Sequence, residues 1–381
     1  MQLISNTTVV TACFYLKDYY PEQSQLFSRT VSEMVNENGE FLLEKLCYMT
    51  IFCDYHTYPE IFKIRNEKYN LGKFTKYHVM NFEDIWTYQW KDKVIENREK
   101  YWPTRDARAE WPSHLITCNK ADFILTAINE NFFNTSNFVW SDFNIKKIFN
   151  DRRVKEYYDK KYSLKERDII FLNILENIPE KFHVQIINVV DKKYLMSQNK
   201  LEFYNSYRYK IAGTLFSLSN IPNNIKILKD LKQNFINMTN LGFGHGEEML
   251  FYDVYYENFE NFEKSYGDYS EVIYNFCYPV ENLHYILNNV IKNYLSARYY
   301  KECFDACEKC LKSFYDKKII IDWNVFLNLL FNQYIAAYYI DLKIAKKIAN
   351  EILYYTDHVP QFKVEFDKMK DFYLQQLSFI L

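Results

Sequence analysis

Apolar and polar positions along this chain fall into two textures. Up to about residue 280, short runs of β-branched and aromatic residues predict strands at Thr8–Phe14, Met49–Asp54, Lys76–Met80, Phe138–Asp142, Val184–Val190, Ile211–Leu218 and Val272–Phe276. Between them, Ser24–Tyr48, Ala121–Asn131, Asn223–Asn237 and Glu247–Glu257 space their apolar residues every three or four positions, which predicts helices. Strands alternating with helices predict an α/β domain with a largely parallel sheet. Such sheets gather ligands at the carboxyl ends of their strands. Residues that end a strand are therefore the first candidates for chemistry.

From Pro279 onward the strand signal fades, apart from the short run Ile319–Ile321, and helical spacing continues to the C-terminus. Two stretches resemble one another, Tyr294–Leu311 (YLSARYYKECFDACEKCL) and Ala337–Leu353 (AYYIDLKIAKKIANEIL), with small residues at helix-contact positions. They resemble tetratricopeptide-type hairpins, although the copies lie further apart than that family's usual repeat. The expected organisation is an α/β domain over residues 1–280 and an α-helical domain over 281–381.

Composition narrows the possible functions. A net charge of −2 argues against wholesale binding of nucleic acid. No apolar stretch approaches the ~18 residues that a membrane span needs. Met1–Thr8 runs straight into a strand-like segment without a basic-then-apolar leader, so the eight cysteines are expected as reduced thiols in a cytoplasmic protein. The segment Lys146–Asp168 carries nine Lys or Arg against five Asp or Glu. It reads first as a solvated connection, with a peripheral contact to an anionic membrane face as the alternative. Glycine numbers seven where average usage would give about 27. Neither G-x-G-x-x-G nor G-x-x-x-x-G-K-[ST] occurs, so no glycine-built phosphate cradle is signalled.

Four patterns invite a chemical reading. Cys303, Cys307 and Cys310 have the spacing that can hold an iron–sulfur cluster. With Tyr300 and Phe314, however, they fall at a 3-4-3-4 spacing, the buried stripe of one helix, and core packing is the reading adopted. Phe138–Asn144 (FVWSDFN) delivers Asp142 to the end of a strand, where it suits either an oxygen-ligated divalent cation or the cap of a following helix. Gly242–Glu248 (GFGHGEE) concentrates three of the seven glycines just before an apolar helix, which favours a functional loop. The Trp102–Pro112 stretch, with two Trp-Pro pairs and two arginines, could close over a bound molecule or simply be a pinned surface loop. His114, His183 and His284 stand alone and read as structural.

These segments together resemble a known family. Thr8–Phe14 (TVVTACF), Met49–Asp54 (MTIFCD), Asn119–Ile145 with its W-x-D-F core, Ile211–Ser217 (IAGTLFS), Gly244–Tyr252 (GHGEEMLFY) and Gly267–Phe276 (GDYSEVIYNF) resemble the bacterial WlaTC/HtrL-type glycosyltransferases over roughly residues 8–278. The resemblance implies a GT-A-like, single Rossmann-type domain that binds a nucleotide-diphosphate sugar. It implies that Thr11 and Ala12 line the nucleobase pocket, that Asp54 contacts base or ribose, and that Lys120 faces the donor phosphates. Asp142 would take the place of the acidic metal motif for Mn²⁺ or Mg²⁺, with Asn144 beside it, although a lone acid departs from the usual D-x-D. Gly213 and His245 would lie near the sugar, Asp268 would be a second metal or sugar contact, and Glu247 or Glu248 would take the acceptor's proton. The implied partners are a UDP- or GDP-sugar and a glycan or glycoconjugate acceptor.

The competing class is a non-catalytic adaptor. It would keep the α/β scaffold and bind a protein through its C-terminal helices.

Overall fold

The computed structural model describes residues 3–24, 26–101, 110–150, 164–189, 210–242, 246–269, 272–277, 283–316 and 322–378. The chain divides into two compact units. One comprises Met1–Gln185, Lys193–Lys264 and Tyr269–Ile273; the other comprises Ile186–Lys192, Ser265–Asp268 and Tyr274–Leu381. Among the described residues no helix is long and apolar enough to cross a membrane.

Seven strands form one mixed sheet: β1 Ile4–Cys13, β2 Cys47–Cys53, β3 Thr75–Val79, β4 Asn137–Ser141, β5 Phe182–Ile186, β6 Leu215–Ser219 and β7 Phe262–Tyr266. Their order is β3-β2-β1-β4-β6-β5-β7. β1 runs parallel to β2 and β4, and β2 parallel to β3, whereas β6 runs antiparallel to β4 and β5. The expected parallel sheet is thus found in its first four strands, and the antiparallel β6 makes the whole mixed. β1 and β2 are apolar on both faces because both faces are covered: Val9, Val10, Met49, Ile51, Phe52 and Cys53 are all buried.

In the first unit the longer helices are α1 Lys91–Tyr101, α2 Trp111–Cys118, α3 Lys120–Glu130, α4 Leu164–Glu176, α5 Pro222–Asn240 and α6 Glu247–Glu257. α3 buries Ala121, Phe123, Ile124, Leu125, Ala127 and Ile128. Phe123 is central to that packing, with its ring 4.6 Å from Phe52, 6.1 Å from Trp140 and 6.2 Å from Phe14. Burial of each such aromatic side chain contributes roughly 1.5–3 kcal/mol. Eleven helical residues and the five residues of β4 both span about 16 Å. A helix running back along the strand it feeds therefore starts level with that strand's carboxyl end, and so Lys120 comes to lie beside Asp142.

The expected strand at Val272–Phe276 is instead part of the helix Val272–Cys277, and Phe262–Tyr266 supplies the seventh strand. Val272, Ile273 and Tyr274 are all buried. The run of three buried apolar residues that opens this segment carries no periodicity to separate helix from strand. β7 (FEKSY) is not among the expected strands; its Lys264 and Ser265 are buried with their apolar neighbours. Of the helix expected over Ser24–Tyr48, the middle forms: Glu33–Gly39, wound wider than an α-helix, runs without a break into Glu40–Leu43, whereas Cys47 and Tyr48 already belong to β2. Ile319–Ile321, residues 102–109 of the Trp-Pro loop and residues 151–163 of the basic segment lie outside the described residues.

The second unit is built on α7 Tyr300–Tyr315, α8 Trp323–Tyr338, α9 Leu342–His358, α10 Pro360–Asp367 and α11 Lys370–Leu377. Tyr300 stacks on Tyr339 at 4.1 Å and Phe314 stacks on Phe326 at 4.1 Å, so the start of α7 meets the end of α8 and the two run antiparallel. Phe326 also meets Tyr355 near the end of α9. The two similar sequence stretches each span the end of one helix, a tight turn and the helix that follows. Cys303, Cys307 and Cys310 are buried along α7, as the stripe predicts.

Candidate active site

Four chain segments converge on the ammonium group of Lys120. Its Nζ lies 2.6 Å from Glu247 Oε1, 2.9 Å from Asp142 Oδ1 and 2.9 Å from the carbonyl oxygen of Gly213. Lys120 opens α3, Asp142 follows β4, Gly213 precedes β6 and Glu247 opens α6. Asp142 Oδ1 also accepts a hydrogen bond from Trp140 Nε1 at 2.8 Å, and its backbone N–H donates to Thr214 O at 2.8 Å. Lys120, Glu247 and Glu248 are buried, while the Asp142 side chain keeps 34% of its surface exposed. The cluster therefore reaches solvent through Asp142.

Gly213 is required by the approach of Glu247. A Cβ at this position would sit 2.9 Å from Glu247 Oε1 and 3.0 Å from its Cγ. Gly213→Ala is expected to push Glu247 away from Lys120 and to destabilise the fold by about 1–3 kcal/mol. Urea unfolding of the variant checks this; an unchanged midpoint would show that the contact is slack.

The charges split the two glutamates. Burial disfavours a charged Lys120, but Asp142, Glu247 and Glu248 outweigh it and hold the ammonium protonated well above the ordinary lysine range. Burial likewise opposes ionisation of Glu247, yet Lys120 overcomes it and holds this carboxyl below its ordinary value. The positive end of α6 acts in the same direction. Burial and the neighbouring charge of Glu247 push Glu248 far upward. With Glu247 held ionised and Glu248 pushed upward, the pair divides into one carboxylate and one group that keeps its proton more tightly. Asp142 is raised by burial, against the pull of Lys120.

This split has a consequence for stability. Glu248 binds its proton more tightly folded than unfolded, so its contribution is complete below the unfolded carboxyl pKa and is lost as pH rises through the raised folded value. Glu247 has the opposite sign, and its contribution is lost as pH falls through its lowered value. Melting temperature recorded against pH should therefore fall on the alkaline side, and Glu248→Gln should flatten that fall. An identical profile in the variant would contradict the assignment.

Of the residues proposed from sequence, Lys120, Asp142, Gly213, Glu247 and Glu248 come together. Asn144 lies two residues from Asp142, and its buried Oδ1 has no hydrogen-bond partner. Thr11, deep in β1, likewise has an unpartnered Oγ1, and Ala12 is half-buried at the carboxyl end of the same strand. Thr11 lies one residue beyond the pair Val10–Trp140, next to the strand end that carries Asp142. Asp54 is differently employed. Its Oδ1 accepts from the backbone N–H of His56 at 3.0 Å and of Thr57 at 2.8 Å, and its Oδ2 accepts from the N–H of Tyr15. It thereby ties together the ends of β1 and β2, and its oxygens are spent on this chain's own backbone. Asp268 falls in the second unit, where its carbonyl oxygen accepts from Asn275. His245 lies outside the described residues.

Two participants were missed. Trp140 holds Asp142 through its indole N–H, and nothing in an apolar strand residue announces that role. Tyr269 hydrogen-bonds Thr214, and its phenol is pushed upward by burial and then by the charges of Asp142 and Glu248. Its position beside Gly267-Asp268 was the available signal.

The donor set does not by itself suit the Mn²⁺ or Mg²⁺ that the resemblance implies. Asp142 Oδ1 is engaged by an ammonium and an indole N–H, and a divalent ion on it would sit against the Lys120 charge. Among the described residues no three His, Cys, Asp or Glu side chains gather as a cation site. In comparisons with known proteins, the chain matches no family model, no curated protein and no solved structure.

Proposed function

We propose that the first unit is a glycosyltransferase that moves a sugar from a nucleotide-diphosphate donor to a hydroxyl acceptor. The observation that carries this reading is the buried Glu247–Glu248 pair beside Lys120 and Asp142: burial and the charge of Glu247 push Glu248 upward, while Lys120, 2.6 Å from Glu247, holds Glu247 low. Strands 3-2-1-4 have the order of doubly wound nucleotide-binding sheets, and the direction of winding reverses between β1 and β4, where such sheets bind ligands. The resemblance of residues 8–278 to bacterial glycosyltransferases of GT-A-like fold supports the same reading.

Glu248 is the proton-transfer group. In its ionised form its raised proton affinity makes it a stronger base than an ordinary carboxylate. The acceptor oxygen bonds to the anomeric carbon as its proton passes to Glu248, and the bond from that carbon to the diphosphate breaks with its electrons leaving on phosphate. Lys120 organises the carboxyls, since its ammonium is already shared among Asp142, Glu247 and Gly213. Three carboxyl groups around one lysine also favour the positive charge that develops on a transferring sugar.

Calorimetric titration with UDP and GDP, with and without Mn²⁺, tests the donor site. Saturable binding of one nucleotide supports it, and silence toward both in either condition overturns it.

A further inference from the structure

The turn joining α8 to α9 exposes apolar side chains in nearly unbroken sequence. Tyr339 is 58% exposed, Ile340 46% and Leu342 59%, with Tyr338 and Ile344 each at 38%. This is a protruding end and not a loose one. The stack of Tyr300 on Tyr339 fixes one side, and Asp341 caps α9 by accepting from the Lys343 N–H at 2.7 Å.

Charge around this tip is predominantly positive. Lys343, Lys346 and Lys347 are exposed and recur at i, i+3 and i+4, along one face of α9. Arg298 and Lys301 are exposed at the start of α7, the same end of the hairpin because Tyr300 meets Tyr339. Against these five cations stand Glu302 and Asp341, and the latter is spent on its cap. Lys343, Lys346, Lys347 and Arg298 form no ion pair with any described residue.

We propose that this tip docks the protein on an anionic lipid surface. Tyrosine rings with neighbouring aliphatic residues suit the headgroup boundary, where one end of each side chain is apolar and the other wet. The lysines, on flexible apolar stems, reach the lipid phosphates from behind the inserted residues. The pairing of an apolar tip with a cationic collar selects this occupant over a second copy of the chain, whose own collar would repel it.

Co-sedimentation of the full chain with vesicles tests the proposal. Binding is expected to vesicles of phosphatidylcholine with added phosphatidylglycerol, weak or nil to phosphatidylcholine alone, and falling with salt. Lys343→Gln, Lys346→Gln and Lys347→Gln together should weaken it about a hundredfold, at about fivefold per lysine. Ile340→Ser with Leu342→Ser should abolish it while leaving the melting temperature unchanged, since both side chains are exposed. Equal binding to both vesicle types, or a triple variant that binds as wild type does, would overturn the proposal. So would a lipid-free dimer by analytical ultracentrifugation that the serine variant converts to monomer, since the tip would then be a self-interface.

Discussion

Lys120→Met is expected to cost about 3–5 kcal/mol of folding stability, among the largest losses a single substitution in this chain should produce. The lysine is buried, and removing it leaves Glu247 in the interior beside Glu248 without a cation. The loss should depend on pH with a definite sign. Without Lys120, burial raises the folded-state affinity of Glu247 for its proton, so the variant's deficit grows as pH rises through that value and shrinks in acid. Adding Glu247→Gln to Lys120→Met should recover part of the loss, with a coupling of roughly 0.5–3 kcal/mol between the two positions. Urea unfolding at several pH values measures all of these. Strictly additive single and double variants would mean that the 2.6 Å contact carries no net energy.

Glu248→Gln is expected to separate chemistry from folding. A glutamine keeps the shape of the protonated carboxyl, so the variant should match wild type in acid and be at least as stable at neutral pH, where the buried Glu248 has already lost part of its contribution. Transfer activity should nevertheless fall by roughly 10²–10⁴-fold, the usual contribution of a positioned general base. A base must be ionised to act. The wild-type kcat/KM should therefore rise with pH through the raised Glu248 pKa, and the variant should lose that limb. A variant that is inactive and also unfolded would point to a structural glutamate instead.

Much of this arrangement was legible before the structure, for reasons that particular residues make plain. β1, β2 and β4 announce themselves because both faces are buried and the runs are short, apolar and bounded. Glu247–Glu257 was bounded correctly because a glycine cluster precedes it and two acids open it, as helix starts favour. Asp142 and Lys120 were each singled out, one as a strand-end acid and the other through the family resemblance. What sequence could not supply was their partnership. Lys120 and Glu247 are 127 residues apart, and no local pattern relates them. A lysine near phosphate-binding machinery is naturally assigned to phosphate, yet here its donors are met by carboxylates and a carbonyl. Gly213 shows the same limit. It was read as space for a sugar, whereas the space is filled by the Glu247 side chain. Asp54 follows β2 as a ligand-binding acid might, but the turn after it aims the N–H groups of His56 and Thr57 onto it. The antiparallel β6 was hidden because strand direction leaves no mark on a pentapeptide such as LFSLS.

The central claim is that the Glu247–Glu248 pair beside Lys120 transfers sugars from a nucleotide donor. Release of nucleoside diphosphate from UDP- and GDP-sugars, followed against pH in wild type and in Glu248→Gln, tests it most directly. The account predicts release by wild type that rises with pH, and a variant that is folded, slow and without that rise. Silence of the wild-type protein toward every donor across the pH range, or the same profile in both proteins, would contradict it.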